Sequence, residues 1–76
     1  MTETRYNTPK GEYRVIDIGI PFGEGESPVD RNYNSGFAVR CDKGFLAHFP
    51  TLEEAEDLIL MFNHTHDRNK LKEWRE

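Results

Sequence analysis

Phe37-Ala38-Val39-Arg40-Cys41-Asp42-Lys43-Gly44-Phe45-Leu46-Ala47-His48-Phe49-Pro50-Thr51-Leu52-Glu53-Glu54-Ala55 is the stretch on which the fold turns. Phe37, Val39 and Cys41 alternate with Ala38 and Arg40, and beyond Asp42-Lys43-Gly44 the residues Phe45, Ala47 and Phe49 alternate with Leu46 and His48. Period-two spacing on both sides of a short Gly-containing connection predicts a β-hairpin, with strands near 36–41 and 45–49. Asp-Lys-Gly suits a three-residue loop, a type I turn closed by glycine in the left-handed region. That register pairs Cys41 with Phe45, Val39 with Ala47 and Phe37 with Phe49. One face then holds those six residues, and the other holds Ala38, Arg40, Leu46 and His48.

Downstream, Thr51 followed three residues later by Glu54 forms a capping-box pattern. Glu53, Glu54, Glu56 and Asp57 suit the positive end of a helix. Leu52, Ala55, Leu58, Ile59 and Phe62 recur at helical spacing and predict a helix over 52–62 with one apolar stripe. Asn63-His64-Thr65-His66 is weakly helical, so a break is expected there, then a short helix near 67–75 with Leu71 and Trp74 packing at i,i+3. Upstream, Ile16, Ile18 and Ile20 alternate with Val15, Asp17 and Gly19, predicting a strand near 13–20 with the isoleucines buried. The expected fold is therefore α+β: a small antiparallel sheet packed on one helix, with a short C-terminal helix.

The flanks read differently. Residues 1–12 offer only Tyr6 as a large side chain and are expected to be a flexible N-terminal arm. Residues 13–76 are expected to form a single small domain, interrupted by a long acidic loop over 21–35 that is rich in Gly, Pro, Ser and Asn. At 76 residues and 8.9 kDa, with 36% hydrophobic residues, the chain can bury only a small core. Fourteen acids against ten bases give a net charge of −4, which disfavours a broad phosphate-binding stripe. The longest apolar run, Leu58 to Phe62, is far short of a membrane span. The polar N-terminus carries no targeting pattern, and a lone cysteine, Cys41, suits a reducing, cytoplasmic setting.

Phe49-x-Thr51-x-x-Glu54-Ala55 placed after a hairpin resembles the three-stranded sheet and helix of phage-integrase arm-binding domains, over roughly residues 36–62. The resemblance implies a sheet whose basic face meets DNA. In this chain the corresponding hairpin face offers Arg40 and His48, with Arg14 on the preceding strand and Arg68, Lys70, Lys72 and Arg75 in the tail.

Catalytic and metal chemistry have little support. Cys41, His48, His64 and His66 lack zinc-ligand spacing. Glu24, Glu26, Asp30 and Asn32 do not follow an EF-hand pattern. Ser27 and Ser35 sit in no nucleophile elbow, and Gly23-Glu24-Gly25 lacks the lysine and helix of a phosphate loop. No cofactor, no metal and no enzymatic activity are expected. The favoured reading is a cytoplasmic, phage-like protein-binding module of inhibitor or accessory type. It would dock on a larger, basic, nucleic-acid-binding protein through Glu24, Glu26, Asp30 and Tyr33. An alternative binding face is Arg40, Leu46 and His48. The alternative functions are a small nucleic-acid-binding domain and a self-associating subunit, such as a homodimer.

Overall fold

The chain first turns back at Thr8-Pro9-Lys10-Gly11, in a computed structural model that describes residues 2–27 and 35–76. Pro9 presets the backbone for the turn, and Gly11 takes the positive φ of 122° that closes it. The Thr8 hydroxyl donates to the Gly11 carbonyl at 2.7 Å and accepts the Lys10 N–H at 3.2 Å. This turn joins β1 (Thr2–Thr8) to β2 (Gly11–Asp17), antiparallel, with Tyr6 opposite Tyr13 and Thr4 opposite Val15. The flexible arm expected over 1–12 is thus corrected: Thr2–Thr8 form a strand, followed by a turn and the start of β2. Tyr6 is 0% exposed, the largest fully buried side chain among the described residues.

β2 pairs with β3 (Phe37–Cys41), and β3 with β4 (Gly44–Phe49), giving an antiparallel sheet in the order β1-β2-β3-β4. The ladder between β2 and β3 runs on through Ile18 N–H to Gly36 O and Gly36 N–H to Ile20 O. Glycine is required at 36. Its φ is 70°, and a Cβ there would lie 2.5 Å from the Phe49 carbonyl oxygen.

Two corrections concern which side chains face inward. In β2 it is Tyr13 and Val15, not the isoleucines, that are buried. β2 begins at Gly11, and its partners Tyr6 and Val39 fix Tyr13 and Val15 on the helix side. In the β3–β4 hairpin, Phe37↔Phe49 and Val39↔Ala47 pair as expected, but a bulge between Val39 and Arg40 sets Arg40 opposite Phe45 and Cys41 opposite Gly44. The connection is therefore the two-residue turn Asp42-Lys43, and Leu46 is the extra residue of the bulge. Phe45 moves to the face of Arg40 and His48. Leu46 instead lines a cavity with Tyr13, Cys41 and Phe62.

α1 (Leu52–Phe62) starts with Thr51 accepting the Glu54 N–H at 3.2 Å, and it crosses β2, β3 and β4. Its inner side is Ala55, Glu56, Ile59 and Leu60, whereas Leu52 and Phe62 of the expected stripe are only partly covered, at 41% and 39% exposed. Phe62 stacks on the Tyr13 ring, centroids 5.9 Å apart. The helix ends where expected, with His64 in the left-handed region at φ 56°, and α2 (Asn69–Trp74) packs against β1. Leu71 is buried and Trp74 packs on the core, as the i,i+3 spacing predicts.

Glu56 explains the rotation of the stripe. Its carboxylate is 6% exposed in the residue as a whole and accepts from the Tyr6 hydroxyl at 2.9 Å, Arg68 at 3.0 Å and Arg75 at 3.1 Å. Arg75 also lies over the Tyr6 ring, 5.6 Å from its centroid, and pairs with Tyr6 in an isolated bridge while the Glu76 N–H donates to the Arg5 carbonyl at 3.0 Å. A buried carboxylate is tolerated only when its charge and lone pairs are matched. Here three donors from β1, the loop before α2 and the C-terminus match them, so α1 turns Glu56 inward. Burial pushes the Tyr6 phenol up, and its bond to Glu56 adds to the shift.

Candidate functional site: the open face of the sheet

Among the described residues, alternation along each strand leaves one sheet face without a helix. Pairing places Arg5 opposite Arg14, Arg14 opposite Arg40, and Arg40 opposite Phe45. Three arginines thus stand side by side on β1, β2 and β3, on strands ~4.8 Å apart, with an aromatic ring completing the row on β4. The neighbouring row is Glu3, Ile16, Ala38 and His48. Phe45 and His48 meet edge to face with centroids 4.8 Å apart. Phe45 is 44% exposed.

Like charges directly opposite each other across a ladder are destabilising. The row is relieved at one end: Arg5 Nε is 3.1 Å from Glu3, and this bond, with Glu3 and Glu12 close by, keeps the Arg5 guanidinium firmly protonated. Among the described residues, Arg14 and Arg40 make no ion pair with an acid. Glu12, two residues before Arg14 on β2, shares this face with Glu3. Asp17 ends β2, Asp42 lies in the β3–β4 turn, and the other described acids lie on α1 (Glu53, Glu54, Glu56, Asp57), in the C-terminal segment (Asp67, Glu73, Glu76) and in the loop after β2 (Glu24, Glu26). The face thus sets Arg5, Arg14 and Arg40 against Glu3 and Glu12, although the chain is acidic as a whole.

The site residues expected from the sequence divide as follows. Arg40 and His48 lie on the open face together, and the His48 Nδ1 is 3.0 Å from the Ser35 carbonyl oxygen. Leu46 leaves that face through the bulge. Glu24 and Glu26 are exposed, with the Glu24 N–H donating to Pro21 O at 3.0 Å. Asp30 and Tyr33 lie outside the described residues. Arg5 was missed because residues 1–12 read as an arm. Its signal was present in Thr2-Glu3-Thr4-Arg5-Tyr6-Asn7-Thr8, an alternation of β-formers and charged or polar residues ended by Pro-Lys-Gly. In the tail, Arg68 and Arg75 are engaged with Glu56, and Lys70 lies 3.7 Å from Glu73.

Among the described residues no group of three or more His, Cys, Asp or Glu converges as metal ligands would. No helix among the described residues is long and apolar enough to cross a membrane. No protein-family model matches the chain, and neither curated proteins nor solved structures yield a match.

Proposed function

We propose that this protein is a non-enzymatic binding module whose open sheet face engages the sugar-phosphate backbone of a nucleic acid. The observation that carries this reading is the in-register row of Arg5, Arg14 and Arg40. Guanidinium groups are planar five-donor forks suited to phosphate oxygens, and a sheet that sets three of them adjacent accepts a stability cost that an anion would relieve. Phe45 at the end of the row supplies a π-face for an unstacked base. With only three phosphate contacts and a net charge of −4, binding is expected to be weak and sensitive to salt.

Fluorescence anisotropy with random single-stranded and duplex oligonucleotides at low salt tests the proposal. Three contacts to duplex correspond to a slope of about −2.7 in log K against log salt, or roughly 40-fold loss between 50 and 200 mM. The Arg14→Glu/Arg40→Glu variant should keep the wild-type circular dichroism spectrum and lose binding to both oligonucleotides. Equal binding by wild type and variant, or no binding by the wild type at low salt, refutes the proposal.

A further inference from the structure

A second surface lies on the helix side and does not depend on the arginine face. Between α1 and β4 runs a groove of about 370 Å³ lined by Phe49, Glu54, Asp57, Leu58 and Met61. On α1 these residues follow helical spacing: Glu54, Leu58 and Met61 are related by i, i+4 and i+7, so they share one ridge. The ridge arises because Glu56 is drawn inward. Turning Glu56 and Leu60 toward the core turns Met61 outward, and Met61 is 58% exposed. A methionine in that position adapts to varied apolar partners.

Charge identifies the occupant. α1 carries four acids and no base. Glu56 is matched internally and Asp57 is paired with Arg68, but among the described residues Glu53 and Glu54 have no cationic partner. Glu54 therefore borders an apolar floor with an unbalanced negative charge, and Asp57 adds a carboxylate only partly offset. A second copy seated by the same surface would set Glu54 and Asp57 against their own equivalents, which is repulsive. A segment combining apolar side chains with Lys or Arg would instead gain on both counts.

We propose that the α1–β4 groove seats a basic amphipathic segment of a partner protein. Its apolar residues would rest on Phe49, Leu58 and Met61, with its cations against Glu54 and Asp57. This is docking on a basic partner, as the overall acidity suggests, but through α1 rather than through the loop at Glu24 and Glu26.

The chain has two methionines, Met1 and Met61, so ¹³C-methyl methionine labelling makes Met61 a direct reporter of the groove. The probes are three synthetic helices with one leucine pattern and lysine, glutamate or glutamine at the polar positions. The expected result is a saturable shift of the Met61 methyl with the lysine helix, at least tenfold weaker with the glutamate helix. Raising salt from ~0.15 to ~1 M should weaken the lysine helix severalfold. Met61→Ser, followed by isothermal titration calorimetry because it lacks the reporter methyl, and Glu54→Lys should each weaken it about fivefold or more, about 1 kcal/mol, while Glu24→Lys/Glu26→Lys leaves it unchanged. The proposal fails if the lysine and glutamate helices bind alike, if the loop variant alone abolishes binding, or if the Met61 methyl does not respond. It also fails if Met61 shifts with protein concentration alone and sedimentation shows a dimer, because the occupant is then a second copy.

Discussion

The two edge strands of the sheet reverse what their sequences suggest. β1, Thr-Glu-Thr-Arg-Tyr-Asn-Thr, is polar and holds one large side chain. That side chain, Tyr6, is the centre of the best-closed part of the molecule, with Glu56 at its hydroxyl, Arg75 on its ring and the C-terminal residues along its strand. β4, Gly-Phe-Leu-Ala-His-Phe, has no formal charge and the stronger apolar pattern. Yet Phe45 and Leu46 are both exposed, and among the described residues no strand pairs with its outer edge. The apolar content of a strand therefore does not decide what it buries. The position of the helices decides it, and both chain ends converge on β1. One edge holds the fold together, while the other presents a surface.

Breaking β1 should have the largest effect. Tyr6→Ala removes a fully buried aromatic side chain, and a loss of about 4 kcal/mol is expected, close to the whole stability of so small a domain. Thermal melting followed by circular dichroism should show a broad or absent transition. Phe45→Ala on β4 should shift the same transition by less than about 1 kcal/mol, because its ring is 44% exposed and lies outside the core. Equal losses would dissolve the contrast between the edges.

Glu56→Ala comes next. It leaves Arg68 and Arg75 without their shared carboxylate and the Tyr6 hydroxyl without an acceptor, with an expected cost of about 3 kcal/mol in urea unfolding. The half-exposed arginines can turn to water, which keeps the cost at the low end for a broken buried pair.

Alkaline pH probes the same edge. The phenols of Tyr6 and Tyr13 are both raised above 10.0, mainly by burial, so the folded state holds their protons more tightly than the unfolded chain does. Their contribution is complete below pH 10 and falls as pH rises through the raised values, because the unfolded chain then binds fewer protons. Stability measured by urea titration should decline above pH ~10. Tyr6→Phe should cost about 1–2 kcal/mol at neutral pH, for a hydrogen bond to a charged acceptor, and should make that decline shallower. An unchanged slope would place the alkaline transition elsewhere.

The smallest effect sharpens the comparison on the open face. Arg14 sits between Arg5 and Arg40, so Arg14→Thr should raise stability by roughly 0.2–1 kcal/mol by removing like-charge opposition and adding a β-former. Destabilisation by this change would mean that the arginine row holds the sheet together rather than straining it.

Much of the fold is legible in the residues. The hairpin, the capped helix and the break at Asn63-His64-Thr65-His66 follow from alternation, an N-cap and a weakly helical run, all features within a few positions of each other. The site was less legible. Arg40 and His48 could be placed on one face from β3 and β4 alone, but the row needs Arg5 and Arg14 in register. That requires knowing that residues 2–8 are a strand. The bulge at Leu46 was hidden as well, since Asp-Lys-Gly accommodates a two- or a three-residue connection and the choice exchanges Phe45 for Leu46 between the faces.

By itself, then, the sequence determined the α+β class, strands near 36–41 and 45–49 that the structure places at 37–41 and 44–49, the helix from 52 to 62 and its end. Each of these is set by neighbours in the chain. Only the tertiary structure decided that Tyr6 is core, that Glu56 faces inward, that Phe45 faces solvent and that three arginines align. Those outcomes depend on pairings between distant segments, such as the Tyr6 hydroxyl on Glu56, fifty residues away. A buried polar group is affordable only once all its partners are assembled, and no local pattern announces that assembly.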